Sequence, residues 1–127
     1  MAKIVYLVRP GQDYRDGSLS PRGVNQIVIT SRLIREELGN LEGVVIYHSP
    51  LKRAAESAQV MSTELGGIPT VPREELKCDS YRVSQVIDGI KDRGVIISHI
   101  SDLEDYLEKQ RIVGLAFSNG QAHRLEL

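Results

Sequence analysis

The sequence lacks three features that would each assign the chain to a broad class of protein. It has one cysteine, Cys78, so it cannot form an internal disulfide, and chains without disulfides are typical of a reducing cytoplasm. It has no apolar run as long as a membrane-spanning helix requires. It begins directly with a strand-like segment and shows no signal-peptide pattern. We therefore expect a cytoplasmic protein that does not enter a membrane.

An excess of charge of one sign is also missing. The 16 lysines and arginines and the 17 aspartates and glutamates nearly cancel, giving a formal net charge of −1. Because sequence-independent binding to nucleic acid depends on clustered basic residues, we expect no nucleic-acid partner. No linker, internal repeat or low-complexity tract interrupts the chain, and 127 residues are enough for one domain with its own core. We expect residues 1–127 to form a single domain.

Three short apolar runs rich in β-branched residues predict buried strands, near residues 3–8, 43–47 and 94–98. A fourth, shorter strand is expected around Thr70-Val71. Helical patterns separate these runs, and such alternation favours a mostly parallel sheet with helices on both faces, an α/β three-layer sandwich. Near the carboxyl end, Asn119-Gly120 is a strong turn signal and predicts a C-terminal antiparallel hairpin of residues 113–118 and 121–127.

Four segments carry helical patterns, and three of them have recognisable start signals. Ser20-Pro21 and Ser49-Pro50 each combine an N-cap residue with proline at the first helical position. A third helix is expected over about residues 80–92. Ser101 and Glu104 have the spacing of a capping box and predict the start of a fourth helix.

Charged or titratable residues lie just beyond three of these strands. Arg9 follows the first strand, Arg53 lies in the first turn of the helix after the second, and His99 follows the third. The carboxyl ends of parallel strands share one rim of the sheet, where ligands of α/β proteins bind. Two guanidinium groups, an imidazole and a helix N-terminus together suit a phosphoryl group. The sequence therefore predicts a phosphate-binding site at this rim.

Four segments resemble the motifs of the histidine phosphatases, also called the phosphoglycerate-mutase-like superfamily. They are Leu7-Val8-Arg9-Pro10-Gly11-Gln12, similar to the family's Arg-His-Gly motif; Leu19-Ser20-Pro21-Arg22-Gly23 with Gln26, similar to Leu-Thr/Ser-Pro-x-Gly-x-x-Gln; Ser49-Pro50-Leu51-Lys52-Arg53-Ala54 with Glu56-Ser57-Ala58, similar to Ser-Pro-Leu-x-Arg-Ala-x-x-Thr-Ala; and Val95-Ile96-Ile97-Ser98-His99, similar to the last strand and second catalytic histidine. The short length resembles the small phosphohistidine phosphatases of the SixA-like branch.

The resemblance implies a mechanism and also a defect in it. In the family, the histidine of Arg-His-Gly attacks phosphorus and becomes a phosphohistidine, which water then hydrolyses. By this resemblance Arg9, Arg53 and His99 bind the phosphoryl oxygens, and His99 is the catalytic residue that stabilises the transition state. The position of the nucleophile is occupied by Pro10, which has no lone pair to donate.

Three further residues are candidate auxiliaries. Gln12 completes the first motif. His48 ends the second strand and could supply a replacement imidazole. Glu75, together with its neighbour Glu74, is a candidate proton donor on a loop.

The sequence leaves three functions open. The leading one is a phosphatase-like protein that keeps its phosphate pocket but lacks the nucleophile, acting as a pseudophosphatase or phospho-ligand binding module. The second is an active phosphatase for phosphohistidine or small phosphomonoesters with a relocated nucleophile. The third is a structural or interaction protein with a relic pocket. We expect a phosphate-containing ligand or a phosphoprotein as partner, and no metal or other cofactor; the oligomeric state is left open.

Overall fold

Strands and helices alternate along most of the chain. The structure is a computed structural model that describes residues 2–127. Its strands are β1 (Ile4–Val8), β2 (Val45–His48), β3 (Thr70–Pro72), β4 (Arg93–Ile97) and β5 (Ala122–Glu126), and its α-helices are α1 (Pro21–Leu38), α2 (Lys52–Glu64), α3 (Val83–Asp88) and α4 (Ile100–Lys109). A short 3₁₀ helix, Glu74–Leu76, lies between β3 and α3. Within residues 2–127, no helix combines the length and the apolar character needed to cross a membrane.

The strands form one sheet in the order β3-β2-β4-β1-β5. The first four are parallel to one another, and β5 runs antiparallel to β1 at the edge. The predicted α/β architecture and its three long buried strands are confirmed. In the register of the sheet, Ile97 at the end of β4 pairs with both Val8 and His48. The residues that follow β1, β2 and β4 therefore emerge level with one another on the same rim.

The core lies on both faces of the sheet because side chains alternate along each strand. In β1, Val5 and Leu7 belong to the cluster under α3 and α4, whereas Tyr6 and Val8 belong to the cluster under α1 and α2. Ile96 and its neighbours in β4 divide in the same way. Helices thus cover both faces, as the predicted three-layer sandwich requires.

The predicted C-terminal hairpin is wrong in its first strand. The Asn119-Gly120 turn forms, with Gly120 at a φ of 74°, but residues 113–118 contain no strand and β5 pairs with β1 instead. The edge of β1 offers five residue pairs to β5. The segment before the turn is drawn towards the rim, where the carbonyl oxygen of Phe117 accepts a hydrogen bond from Arg9.

Two predicted helix starts are also wrong. The helix α2 begins at Lys52 with Leu51 as its N-cap residue, and it has no side-chain cap because a leucine side chain cannot accept a hydrogen bond. The hydroxyl of Ser49 accepts from the N–H of Leu51 before the helix begins. The helix α4 begins at Ile100 with His99 as its N-cap residue, so Ser101 lies inside the helix and forms no capping box.

The third helix is shorter than predicted. Residues Asp79 and Tyr81 have positive φ angles of 62° and 56°. An α-helix requires negative φ, so α3 cannot begin before these residues and spans only Val83–Asp88.

Candidate active-site pocket

A pocket of about 240 Å³ opens at the carboxyl rim of the sheet. Its lining includes Arg9, Pro10, Arg53 and His99. The structure therefore brings together the three residues that the sequence placed on one rim, Arg9, Arg53 and His99, and Pro10 lines the same pocket. They come from the ends of β1 and β4 and from the first turn of α2, which the parallel register holds level.

Arg9 connects the pocket to the loop before β5. Its backbone N–H donates to the carbonyl of Gln121 at 3.1 Å, which extends the β1–β5 ladder by one residue. Its Nη1 donates to the carbonyl of Phe117 at 2.9 Å. Because a guanidinium has five N–H donors in a planar fork, this contact leaves further donors for a ligand and fixes the plane of the group.

Arg53 and His99 are in contact with each other in the lining of the pocket. Nη2 of Arg53 lies 3.1 Å from Nδ1 of His99, and Nε2 of His99 lies 2.8 Å from the hydroxyl oxygen of Ser49. A guanidinium can only donate, so Nδ1 accepts and Nε2 carries the ring proton in the neutral imidazole. The two contacts therefore select one tautomer and hold the ring in one orientation.

The surroundings of His99 favour its neutral form. Its ring is buried, and burial together with the positive charge of Arg53 lowers the pKa of His99 below its ordinary value. The carboxylates of Asp102 and Asp79 act in the opposite direction with smaller effect. Near neutral pH His99 therefore presents an uncharged imidazole beside the positive charge of Arg53.

Anion binding should reverse this balance and raise the pKa of His99, since a dianion beside the ring favours the imidazolium. The affinity for sulfate, whose own charge is constant, is therefore expected to rise as pH falls through the pKa of His99 in the complex. The sulfate affinity should become constant once the pH is below the pKa of His99 in the free protein, which is lower than its pKa in the complex. Isothermal titration calorimetry from pH 8 to pH 5 measures this profile. A flat profile, or an unchanged one in His99→Gln, would contradict the expectation.

Hydrogen bonds from two distant motifs hold the segment 10–12, whose first two residues, Pro10 and Gly11, form the floor of the pocket. The N–H of Gly11 donates to the hydroxyl of Ser57 at 3.1 Å, and Ser57 in turn donates to the carbonyl of Arg53 at 2.7 Å. The N–H of Gln12 donates to Oε1 of Gln26 at 2.9 Å. These contacts explain why Ser57 and Gln26 belong to the motifs although neither lines the pocket.

Two glycines allow the floor to touch the start of α1. A Cβ atom on Gly23 would lie 2.1 Å from the carbonyl oxygen of Gln12, and one on Gly11 would lie 2.5 Å from the carbonyl oxygen of Gly23. Both distances are far below van der Waals contact, so neither position accepts a side chain without movement of the backbone. Ser20, the N-cap residue of α1, donates to the same carbonyl of Gln12 at 3.1 Å.

The three candidate auxiliaries do not line this pocket. His48 is buried, and its Nδ1 lies 2.8 Å from the carbonyl oxygen of Ser49, so that nitrogen carries a proton and donates. Glu75 pairs with Arg73 at 2.5 Å, and this hydrogen bond lowers the pKa of Glu75, which favours the ionised form over a proton donor. Gln12 lies next to the floor and donates its backbone N–H to Oε1 of Gln26.

Four polar lining residues were not predicted from the sequence: Asp13, Cys78, Ser101 and Asn119. Three of them lie in irregular segments, which carry no periodicity from which an orientation could be inferred. Ser101 has the spacing of a capping residue, and that pattern concealed its position beside the pocket.

A buried carboxylate fixes the loop that carries Cys78. Asp102 is fully buried, and its two oxygens accept the N–H groups of Asp79 and Tyr81 at 3.0 and 2.8 Å. Ligand atoms of Cys78, Asp79 and Asp102 lie within 4.8 Å of one another, close enough to consider a metal ion. Because both oxygens of Asp102 already accept backbone hydrogen bonds, we assign this cluster a structural role.

The chain is similar to known proteins in sequence pattern and in fold. The sequence profile of the histidine phosphatase superfamily (branch 1) matches residues 7–78. No curated protein sequence matches the chain significantly.

Solved structures with the same fold include three phosphate-related proteins. The SixA protein from Agrobacterium tumefaciens is 17% identical, with 99% of this chain and 92% of that chain covered and a TM-score of 0.76. Phosphoglycerate mutase from Plasmodium falciparum is 21% identical, with coverages of 89% and 72% and a TM-score of 0.69. A mutant phosphoserine phosphatase from Entamoeba histolytica, in complex with phosphoserine, is 15% identical, with coverages of 96% and 89% and a TM-score of 0.69.

Proposed function

Because the chain belongs to the histidine phosphatase superfamily, branch 1, we propose that it binds phosphoryl groups without turning them over. In this proposal Arg9, Arg53 and His99 hold the phosphoryl oxygens. The observation that carries the proposal is Pro10, which lines the same pocket as these three residues. A proline side chain has no nucleophilic atom, so it cannot form the covalent phosphoenzyme on which the family's chemistry depends.

The binding half of the site is intact in its chemistry. The two guanidinium groups supply paired N–H donors that match phosphate oxygens. Nη2 of Arg53 donates to Nδ1 of His99 at 3.1 Å, so a phosphoryl oxygen that accepts from this donor would replace the contact between the two side chains. Protonation of Nδ1 on binding would supply a second donor. A volume of about 240 Å³ accommodates a phosphoryl group with a small attached group.

In this proposal the bound phosphoryl group is not transferred efficiently, because no side chain of the pocket replaces the family's nucleophilic histidine. Transition-state stabilisers act only once a nucleophile approaches phosphorus, and removal of a covalent nucleophile commonly lowers kcat by about 10⁴ to 10⁶. The imidazole of His48 does not line the pocket. The outcome is a pseudophosphatase that acts as a module for recognising phosphorylated ligands.

One observation favours a second function, a phosphatase with a relocated nucleophile. The thiol of Cys78 is exposed and lines the pocket beside the residues that would hold the phosphoryl group. A thiolate can attack phosphorus, break the P–O bond to the ester group, which leaves as the alcohol or phenol, and form a thiophosphate ester; water then releases inorganic phosphate and restores the thiol. Turnover of an aryl phosphate that disappears in Cys78→Ser would identify this alternative.

Inorganic phosphate should stabilise the folded protein if the pocket binds phosphoryl groups. At a concentration about one hundred times Kd, a ligand that binds only the native state adds about 2.7 kcal/mol to the free energy of unfolding. We therefore expect the Tm to rise by several degrees in phosphate, relative to chloride at the same ionic strength. An identical Tm in both salts would favour the third function, a structural protein with a relic pocket.

We also propose a phosphoprotein or a small phosphate-containing molecule as the partner, and the cytoplasm as the location. The proposed phosphate-containing partner is supported by the Entamoeba phosphatase mutant, which shares the fold and is in complex with phosphoserine. The single free cysteine supports the proposed location.

A further inference from the structure

The pocket contains a carboxylate that phosphate binding alone does not explain. Asp13 lines the pocket together with Arg9 and Arg53, and it is the one acidic residue among the described residues that do so. Its side chain is exposed, and within residues 2–127 it forms no ion pair within 4.0 Å. The negative charge of Asp13 is therefore available to a ligand.

The backbone holds Asp13 at this place. It forms an isolated β-bridge with Leu19, flanked by hydrogen bonds from Ser20 N–H to the carbonyl of Gln12 at 3.0 Å and from Tyr14 N–H to the carbonyl of Ser18 at 2.8 Å. The N–H of Leu19 also donates to Oε1 of Glu56 on α2, at 3.0 Å. The bridge thus ties the backbone of Asp13, through Leu19 and Glu56, to the helix that carries Arg53.

A carboxylate beside an anion site opposes a ligand that is negative throughout. The same carboxylate favours a ligand whose negative phosphoryl group lies close to a positive group, because each charge then meets its opposite. We propose that Asp13 selects phosphoryl ligands that carry an amine a few bonds from phosphorus. This inference rests on the proposed function, since it requires the phosphoryl group to occupy the pocket.

The neutral residues of the rim suit such a ligand. Ser101 and Asn119 also line the pocket, and their oxygen atoms can accept hydrogen bonds from an ammonium group. An ammonium has three donors, so one carboxylate and one or two neutral acceptors satisfy it. A divalent cation bridging phosphate and Asp13 is the other source of positive charge, and the experiment below separates the two.

The experiment compares O-phosphoethanolamine with propyl phosphate, in which a methyl group replaces the ammonium. Calorimetric titration in the presence of EDTA should give a Kd about fivefold lower for O-phosphoethanolamine, the size expected for an exposed ion pair of about 1 kcal/mol. Asp13→Asn should abolish this preference. It should also strengthen binding of inorganic phosphate severalfold, because it removes a repulsive charge. Glu36→Gln, which removes an exposed carboxylate on α1 outside the pocket, should leave both values unchanged.

The outcomes separate the inference from the proposed function. If neither inorganic phosphate nor either phosphomonoester binds, the proposed function fails. If all three bind but the two monoesters have equal affinity, or if the preference survives in Asp13→Asn, the amine proposal is overturned while the pocket remains. The proposal would also be overturned if Mg²⁺ increased the phosphate affinity in a way that requires Asp13, while O-phosphoethanolamine and propyl phosphate bound equally well. That result would mean that the partner of the Asp13 carboxylate is a metal ion and not an amine.

Discussion

Pro10→His is expected to convert the protein into a measurable phosphatase. The substitution restores the sequence Arg-His-Gly between Arg9 and Gly11 and places an imidazole among the groups that line the pocket. Because loss of a covalent nucleophile commonly costs about 10⁴ to 10⁶ in kcat, its return should raise turnover by at least about 10³-fold over the unaltered protein.

The scaffold around position 10 favours this outcome. The carbonyl of residue 10 accepts a hydrogen bond from the N–H of Gly120 at 2.9 Å. The N–H of the next residue, Gly11, donates to the hydroxyl of Ser57. Neither contact involves the proline ring, so both remain available to histidine. Loss of proline increases the conformational freedom of the unfolded chain, and we expect the free energy of unfolding to fall by about 0.4 to 1 kcal/mol.

The measurement uses p-nitrophenyl phosphate and a phosphohistidine substrate, with acid-labile phosphate on the variant as evidence of a phosphoenzyme. Pro10→His combined with His99→Ala is the control, since it retains the new nucleophile but loses the stabilising histidine. A folded but inactive Pro10→His variant would mean that more than the nucleophile is missing. Strong turnover by the unaltered protein, abolished by His48→Ala, His99→Ala or Cys78→Ser, would overturn the pseudophosphatase proposal.

Arg53→Ala is expected to have the largest effect on binding. A hydrogen bond to a charged group contributes about 1.5 to 3 kcal/mol, so loss of even one such bond should weaken phosphate binding by about 10- to 100-fold. The same substitution removes the donor to Nδ1 of His99 and the positive charge that lowers the pKa of His99. That pKa should therefore rise in the variant, towards its ordinary value.

Two variants make the test of Arg53 specific. Arg32→Ala removes an equal charge from the exposed surface of α1, where Arg32 lies 3.7 Å from Glu64, and should change the phosphate affinity little. Arg53→Lys keeps the charge but not the planar fork, and should recover only part of the affinity. Phosphate titration by calorimetry gives the three values. Equal losses in Arg53→Ala and Arg32→Ala would indicate diffuse electrostatic attraction and no defined site.

The part of the site that could be predicted from the sequence is the part that regular strands position. Apolar runs rich in β-branched residues predict buried parallel strands. Because such strands run in the same direction, the residues that follow them, Arg9 and His99, are predicted to lie on one rim of the sheet. The position of Arg53 on the same rim could be predicted because Arg53 lies in the first turn of the helix that follows β2. These residues meet in the pocket because the register aligns Val8 and His48 with Ile97.

The rest depends on contacts between segments far apart in the chain. Ser49 has the local pattern of a helix cap, but its hydroxyl is 2.8 Å from Nε2 of His99, fifty residues later. Residues 113–118 have the local pattern of a strand, but they do not pair with β5. The strand β5 pairs with the edge of β1 instead, and the carbonyl of Phe117 accepts a hydrogen bond from Arg9. Asp13 gives no local signal at all, because its position follows from a single bridge to Leu19.

The contact between Gly11 and Gly23 has a consequence for the thermodynamics of ligand capture. Backbone packed directly on backbone, with no room for a Cβ atom, leaves the floor of the pocket little freedom to lose when a ligand arrives. Ordering of loops is a main cost of association, and a floor that is already rigid avoids most of it. A larger part of the binding free energy from the arginines then appears as affinity, because the backbone of the floor needs no further ordering. A protein of this kind can hold a small anion tightly with few contacts, whether or not residue 10 can react with it.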